Sequence, residues 1–268
     1  MPHSRYRAQL DCALQLAALA EQQILPWYQR CAVSHKADGS EVTEADRGAE
    51  RAIREHLARH FPQHAVLGEE FGGPREADDL WIIDPLDGTS AFALGLPLFG
   101  TLIAYLDRGR PVVGVIHFPV LGETVYAAEG EGCWFRRGGG APERVQAAAP
   151  VPLAQALVSA SGMHASDIWP AADGAAWRVS PLLQRARKFR FCGDCMQHAL
   201  ICRGNLHAAI DTIMQPWDIA ALLPCIHEAG GVASSANGQR DGLVFAGSLV
   251  SACSEAVLEE VLAVLNDR

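Results

Sequence analysis

The feature that most constrains the fold is a short apolar run that leads into a turn rich in acids. Residues 80–83 are aromatic and β-branched, which predicts a buried strand that ends at Pro85. Asp84 and Asp87 lie on either side of that proline, which restricts its own φ angle and keeps the preceding residue extended. Gly88 then permits a positive φ, and the N–H groups from this residue onward could converge on an anion. Such a turn suits a divalent cation that holds a phosphate, although the same residue types also form ordinary surface turns.

The charge of the chain limits its partners. The 268 residues carry a net charge of −9, and 49% of them are hydrophobic and 20% charged, which is typical of a globular protein. The length allows one large domain or two. An acidic chain argues against a nucleic-acid partner and would repel a phosphate ester, so cations should accompany any phosphate site.

The cysteines and the apolar stretches indicate the compartment. The eight cysteines are scattered through apolar surroundings. Cys192 and Cys195 form a C-x-x-C pair, but no second pair completes a zinc site, so buried reduced thiols are expected. No signal peptide is recognisable, and charge, glycine or proline interrupts every apolar stretch before it reaches membrane length. We therefore expect a cytoplasmic protein with no membrane partner.

Periodicity and turn residues predict a mixture of helices and strands. Helices are expected at residues 7–29, from the N-cap Thr43 to Pro62, and at 177–187, 196–202, 216–229 and 257–265. Strands are expected at residues 66–67, 80–83, 99–106, 112–118, 123–128, 157–159, 189–191 and 208–211, with a glycine-rich loop or hairpin at 130–140. A segment rich in Gly, Ala and Pro at 137–152 predicts two halves, residues 1–145 and 146–268, that form a single catalytic unit.

Five acids lie at the ends of predicted elements rather than on solvated helix faces: Asp46, Glu69, Asp84, Asp87 and Asp218. Asp46 follows the N-cap Thr43 and Asp218 follows Pro216, so each alone is explained by the dipole of its helix. Together, however, like charges in one pocket repel, and such a cluster is stable only if cations neutralise it. Carboxylate and carbonyl oxygens favour Mg²⁺ over zinc, and two such ions would polarise a phosphate ester and activate a water.

Three motifs occur in a fixed order along the chain. They are Gly68-Glu69-Glu70, the run WIIDPLDGT at residues 81–89, and WDIA at 217–220 followed by EAGG at 228–231. Together they resemble the inositol monophosphatase superfamily of Mg²⁺-dependent, Li⁺-sensitive phosphatases, and the resemblance covers nearly the whole chain. It implies a layered α/β fold, an alternating α-β-α-β-α sandwich. It also implies a small phosphorylated metabolite as substrate and a homodimer.

The resemblance further implies which residues bind the cations. Glu69, Asp84 and the Leu86 carbonyl would bind a first Mg²⁺ ion, and Asp84, Asp87 and Asp218 would bind a second. A third, weaker ion would lie near Glu69, which gives two to three ions per active site. The first half of the chain would supply most of these ligands, and the second half would complete the site.

Catalytic and phosphate-binding roles follow from the same resemblance. Thr89, supported by Asp46, would orient and deprotonate the attacking water, with Glu69 as the third catalytic residue. The backbone N–H groups of Gly88 and Thr89, together with Ser90, would hold the phosphate.

The substrate is harder to predict than the chemistry. Residues 97–104, 114–116, 119–123, 193–195 and 218–224 look most like the histidinol-phosphate phosphatase branch of the family. Asp194 and Asp211 are carboxylates beyond the metal set, placed where the family contacts the alcohol part of its substrate. They would suit a cationic amino alcohol with an imidazole, although carboxylates also accept hydrogen bonds from sugar hydroxyls.

Alternatives to histidinol phosphate therefore stay open. Residues 196–198 are Met, Gln and His, where the histidinol-phosphate branch usually shows an aromatic residue. An inositol-1-monophosphatase or a broad-specificity sugar phosphatase is the alternative within the same chemistry. A non-catalytic regulator that binds metal or phosphate is the alternative from a different class.

Overall fold

The computed structural model describes residues 5–30, 34–35, 41–172, 174 and 177–267. Its helices are α1 (Arg7–Ile24), α2 (Glu44–His60), α3 (Thr89–Ala93), α4 (Ser180–Arg185), α5 (Asp194–Cys202), α6 (Pro216–Ala220), α7 (Leu222–Glu228) and α8 (Glu255–Leu265). Helix α2 begins at the predicted N-cap, where Thr43 Oγ1 accepts from the Ala45 N–H and the Asp46 carboxylate accepts from the Thr43 N–H. This reciprocal cap fixes the start of the helix that carries Asp46.

The strands form two main sheets and one short ribbon. The ribbon pairs β1 (Ser34–His35) with β2 (Glu41–Val42). The large sheet contains seven strands in chain order, β3 (Ala65–Gly68), β4 (Asp79–Asp87), β5 (Gly100–Asp107), β6 (Arg110–Phe118), β7 (Glu123–Ala128), β8 (Cys133–Arg137) and β9 (Glu143–Val145). The small sheet contains β10 (Leu157–Ala160), β11 (Lys188–Arg190), β12 (Ala208–Asp211), β13 (Val232–Ser234) and β14 (Leu249–Ala252), in the order β11-β10-β12-β14-β13.

Each main sheet is packed between helices. Side chains alternate across β4, so Trp81 and Ile83 pack with α1 and α2, whereas Leu80 and Ile82 pack with α5, α6 and α7. Helices α5 and α7 also contact the small sheet, whose other face packs against α4 and α8. The layers therefore alternate α-β-α-β-α, which confirms the layered fold that the motifs implied.

Several elements differ from their predicted extents. Strand β4 does not end at Pro85 but continues to Asp87, with an irregular register between Asp84 and Asp87. The glycine-rich segment at 130–140 contains the whole of β8, which pairs with β7 as the second strand of a hairpin, and a turn on either side of it. The helix predicted from residue 216 is two short helices, α6 and α7, and the helix predicted at 177–187 is only the six-residue α4. The division of the chain into halves at 145 stays a prediction.

Two further features bear on the sequence expectations. Within the described part of the chain, no helix is both long and apolar enough to span a bilayer. The seven described cysteines are free thiols, six of them buried, and Cys31 lies outside the described residues.

Candidate active site

The site begins at the irregular end of β4, where two acids meet. Asp84 is 2% exposed and Asp87 is 9% exposed. In a regular strand, residues three apart point to opposite faces, so the irregular register is what allows both carboxylates to reach one site. Two hydrogen bonds fix this irregular segment, from the Leu86 N–H to Asp84 Oδ1 at 2.9 Å and from Thr101 Oγ1 to the Pro85 carbonyl at 2.8 Å.

Two other elements bring acids to the same place. Asp218 lies in the first turn of α6, where its carboxylate accepts from the Gln215 N–H at 2.7 Å. Glu69 follows β3, and its own N–H donates to the Ile83 carbonyl of β4 at 3.3 Å. Because β3 and β4 are parallel, their carboxyl ends meet at one edge of the sheet, and burial, followed by the charge of Glu69, raises the pKa of Asp84 there.

The electrostatics of this cluster fit a divalent cation. Asp84, Asp87 and Asp218 each contribute one carboxylate oxygen to a group in which all three oxygens lie within 4.8 Å of one another. Burial, and then the charges of Glu69, Asp87 and Asp218, raise the pKa of Asp84 well above its usual value. Burial and the charges of Asp194 and Asp218 do the same for Asp87, and burial is the main cause that raises the pKa of Asp218 to about 7. Acids that raise one another's pKa in this way are the oxygen donors that Mg²⁺ binds and neutralises.

A threonine hydroxyl lies beside the acid cluster. Thr89 begins α3, directly after Gly88, whose φ is +84°. Thr89 Oγ1 lies 3.3 Å from Asp46 Oδ1 and 3.2 Å from the Leu86 carbonyl oxygen. The other oxygen of Asp46 accepts from the Thr43 N–H at 2.8 Å and from Thr43 Oγ1 at 2.5 Å. Burial raises the pKa of Asp46, which the hydrogen bonds from Thr43 oppose. The arrangement provides a hydroxyl whose proton can be accepted by a buried carboxylate.

Helix α5 reaches the site from the second half of the chain. The Cys195 N–H donates to Asp87 Oδ2 at 2.7 Å, so this helix helps to orient a cluster acid. Asp194 has a φ of +48°, which is strained for a residue with a side chain, and its N–H donates to Ser161 Oγ at 2.8 Å. A Cβ on Gly88 would lie 2.9 Å from Asp194 Oδ2, so only glycine lets the two segments approach this closely.

The second predicted substrate carboxylate, Asp211, lies at the end of β12 and is held by two side chains. Its Oδ2 accepts from Gln197 Nε2 at 2.6 Å and lies 2.7 Å from His198 Nε2. His198 is fully buried, and its other ring nitrogen lies 2.7 Å from Ser251 Oγ. Burial, followed by the charge of Asp211, raises the pKa of Asp194 to about 6. The charge of Asp211 therefore acts on Asp194, and the role of both acids in substrate binding stays a prediction.

The structure brings the predicted site residues together, although their individual roles stay predictions. The acids within electrostatic range of others in the cluster are Asp46, Glu69, Asp84, Asp87, Asp194, Asp211 and Asp218. Ser90 is exposed as the second residue of α3. Sequence reasoning did not assign Gln197 to Asp211, and it missed Glu50, a fully buried acid on α2. A signal for Glu50 existed, because an acid one turn after Asp46 falls on the apolar face of that helix.

Comparisons with known proteins show the family to which the chain belongs. A model of the inositol monophosphatase family matches residues 5–267. A histidinol-phosphatase from Chlorobaculum parvum is 38% identical over 246 residues, which is 91% of each chain. A fructose-1,6-bisphosphatase/inositol-1-monophosphatase from Thermotoga maritima is 32% identical over 232 residues, 84% of this chain and 82% of the relative. Among solved structures, an IMPase from Thermotoga maritima superimposes with a TM-score of 0.83 at 29% identity, over 97% of each chain.

The fold and the site together define a phosphomonoester hydrolase of a metal-dependent class. The chain belongs to the inositol monophosphatase family. The family and the enzyme class that the three motifs implied are thereby confirmed. The two relatives carry different substrate names, so membership of the family leaves the substrate open.

Proposed function

We propose that this protein is a Mg²⁺-dependent phosphatase that hydrolyses histidinol phosphate to histidinol. The observation that carries the reaction is the cluster of oxygens from Asp84, Asp87 and Asp218 within 4.8 Å, beside the hydroxyl of Thr89 and the carboxylate of Asp46. Cations bound to such a cluster would neutralise its acids and hold the phosphate of the substrate.

The protein groups that would hold two to three Mg²⁺ ions are Glu69, Asp84, the Leu86 carbonyl, Asp87 and Asp218. When bound, Mg²⁺ would supply Lewis-acid stabilisation of the phosphate and of the leaving oxygen, and it would lower the pKa of water. The backbone N–H groups of Gly88 and Thr89, together with Ser90, would hold the phosphate oxygens. The phosphate would thereby be kept at the end of β4, within reach of Thr89.

Thr89 and Asp46 would handle the proton of the attacking water. Because Thr89 Oγ1 lies 3.3 Å from Asp46 Oδ1, the hydroxyl can donate to that carboxylate and keep its lone pairs for the water. Asp46 keeps its orientation through the two hydrogen bonds from Thr43. Glu69, whose charge also acts on Asp46, would assist in accepting the proton.

Two acids beyond the cation ligands support a cationic substrate. Asp194 contacts the Gly88 turn, and Asp211 is near enough to raise the pKa of Asp194. A pair of carboxylates beside the phosphate would attract the ammonium and imidazole groups of histidinol. The name of the relative from Chlorobaculum parvum, a histidinol-phosphatase, points in the same direction.

The second candidate is an inositol-1-monophosphatase or a broad-specificity sugar phosphatase, and a specific contact favours it. Asp211 Oδ2 already interacts with both Gln197 and His198, which weakens its attraction for a further positive charge. An acid held in this way would still accept a hydrogen bond from a sugar hydroxyl through its other oxygen. The bifunctional name of the relative from Thermotoga maritima agrees with this candidate.

The deciding experiment measures phosphate release from histidinol phosphate, inositol 1-phosphate and fructose 1,6-bisphosphate, side by side with Mg²⁺ and after chelation. We expect the highest kcat/KM for histidinol phosphate and no release after chelation. A preference for either of the other esters would reject histidinol phosphate and leave the metal-dependent chemistry standing. No release from any ester would favour the non-catalytic regulator.

We further propose that the enzyme is a cytoplasmic homodimer inhibited by Li⁺. Family membership supports these properties, and light scattering coupled to size exclusion would measure the oligomeric state directly. A monomer at micromolar concentration would reject the dimer. Titration of the phosphatase activity with Li⁺ would test the inhibition.

A further inference from the structure

Glu50 is a fully buried acid that the reaction described above does not use. It lies on α2 one turn after Asp46. Its Oε2 accepts from the Glu70 N–H at 2.7 Å, and its Oε1 accepts from the Phe71 N–H at 3.2 Å and from Arg54 Nε at 2.7 Å. A buried carboxylate is tolerated only when donors satisfy it, and here two of the three donors are backbone groups of a single turn.

Arg54 extends this contact to the far end of the same turn. Its guanidinium donates to the Gly72 carbonyl as well as to Glu50. Gly68 and Gly72 close the turn with mutual backbone hydrogen bonds of 3.1 and 3.0 Å. A Cβ on Gly68 would lie 2.2 Å from Glu50 Oε1, so the carboxylate packs directly against the backbone of the turn. Two side chains of α2 therefore hold the whole of residues 68–72.

The turn held in this way carries Glu69. The Glu69 N–H donates to the Ile83 carbonyl of β4 at 3.3 Å, one residue before Asp84. We propose that Glu50 and Arg54 are positioning residues, which fix this turn so that Glu69 stays among the cation ligands. The inference rests on the proposed cation site.

The physical reason is the entropy of the turn. A loosely held turn would let Glu69 adopt many orientations, and cation binding would have to order it at a cost in free energy. A buried clamp removes that cost before the cation arrives. Groups that orient metal ligands typically change metal affinity about 10- to 100-fold when they are replaced.

The test compares Glu50→Gln and Arg54→Lys with the wild type and with Arg110→Gln. Arg110 forms an exposed ion pair with Glu129 and serves as a matched control for the loss of an arginine–glutamate pair. Mg²⁺ binding to the metal-free full chain is measured by calorimetry without substrate, and hydrogen exchange is measured at the Glu70 and Phe71 amides. Phosphate release from p-nitrophenyl phosphate is then measured across Mg²⁺ concentrations.

For Glu50→Gln we expect Mg²⁺ to bind about 10-fold or more weakly. Exchange at the Glu70 and Phe71 amides should be faster, and kcat at saturating Mg²⁺ should remain within a few fold of the wild type. Arg54→Lys keeps a positive charge beside Glu50 but loses the forked contact with Gly72, so it should show a smaller change of the same kind. Arg110→Gln should match the wild type in all three measurements.

A purely stabilising ion pair would give a different result. If Glu50→Gln lowers the melting temperature but binds Mg²⁺ with wild-type affinity, the inference is wrong. If Glu50→Gln does not fold, Arg54→Lys decides, because unchanged Mg²⁺ affinity and unchanged amide exchange in that variant would also overturn the inference. If the wild type itself neither binds Mg²⁺ nor releases phosphate, the proposed function fails first. Altered exchange in the variants would then show a structural clamp only and would reject the positioning role.

Discussion

The large sheet buries acids in two regions that differ in what surrounds them. At the start of β7, Glu123 is 7% exposed and accepts from Arg137 Nε at 3.0 Å and from Arg203 Nη1 at 2.8 Å. At the end of β4, the neighbours that act most strongly on Asp84 are the acids Glu69, Asp87 and Asp218. The region at the start of β7 pairs its acid with arginines, whereas the region at the end of β4 places several acids close together.

The difference separates an acid that serves the fold from acids that serve a ligand. A buried acid with cationic partners is satisfied in the folded chain alone, so removing its charge leaves those partners unsatisfied and lowers stability. A buried cluster of acids raises the pKa values of its own members and costs folding free energy, which a bound cation can offset. Substitutions in the two regions should therefore act in opposite ways on stability and activity.

The largest expected effect comes from Asp84→Asn compared with Glu123→Gln. Asp84→Asn removes a charge from the cluster, so phosphate release should fall by more than about 100-fold while metal-free stability holds or rises. Glu123→Gln should lose about 1–3 kcal/mol of unfolding free energy, because the amide keeps only one acceptor oxygen for Arg137 and Arg203 and carries no charge, and it should keep most activity. Activity assays and denaturant unfolding check both variants. Equal losses of activity in the two variants would abolish the distinction between the regions.

The next effect tests the hydroxyl beside the cluster. Thr89→Val keeps the shape of the side chain but removes the group that contacts Asp46, so kcat should fall by about 10²–10⁴-fold. Thr89→Ser restores the hydroxyl and should recover most of that loss. Calorimetric Mg²⁺ binding should change little in either variant, because both keep the carboxylates. A Thr89→Val variant with nearly normal kcat would remove Thr89 from the mechanism.

Much of the site was predictable because its chemistry is concentrated in short motifs. Asp84 and Asp87 belong to one strand end. Glu69 directly follows β3 and Asp218 lies in the first turn of α6, and proline, glycine and caps make the ends of such elements recognisable. The irregular register that lets Asp84 and Asp87 reach one site was not predictable, since it depends on the pairing of β4 with β5. The sequence therefore indicated which acids meet, but not how the backbone allows them to meet.

Contacts between distant segments account for what sequence reasoning missed. Gln197 and His198 reach Asp211 only because α5 packs on the small sheet, and no local pattern encodes that contact. Strands β13 and β14 have three and four residues, too few for a recognisable alternation. The break between α6 and α7 also escaped prediction, because Ala221 and its neighbours favour a continuous helix.

A smaller effect concerns the acids near the proposed alcohol site. Asp211→Asn removes a negative charge while keeping an acceptor for Gln197, so it should lower the preference for histidinol phosphate over inositol 1-phosphate. We expect a change in the ratio of kcat/KM values of about tenfold, which corresponds to about 1.4 kcal/mol. Asp241→Asn, at an exposed position, is the control for general loss of negative charge. If the ratio of the kcat/KM values is unchanged in Asp211→Asn, the charge of Asp211 does not select the substrate.

The smallest effect is the pH dependence of stability that the acid cluster should give the metal-free protein. The folded chain raises the pKa of Asp218 from 3.8 to about 7, chiefly through burial. Between these pH values the native state binds more protons than the unfolded state, so this group makes stability fall as pH rises. Relative to Asp218→Asn, chelator-treated wild type should therefore lose melting temperature between pH 5 and pH 8, on the order of a few degrees.

Glu123→Gln measured in the same way sharpens the comparison, because the acid it removes is paired with arginines rather than crowded by acids. Glu123→Gln leaves Asp218 in place, so this variant should keep the decline with rising pH that Asp218 produces. Thermal unfolding in chelator at several pH values, with the wild type, Asp218→Asn and Glu123→Gln side by side, checks both expectations. Saturating Mg²⁺ should abolish the decline in melting temperature for the wild type, since the bound cation favours the ionised carboxylates. A pH-independent difference between the wild type and Asp218→Asn would mean that folding does not raise the pKa of Asp218, so that the cluster carries its charges without a cation. The acid cluster at the end of β4 and the region of Glu123 would then differ only in the arrangement of their side chains, and not in what their charges cost the folded protein.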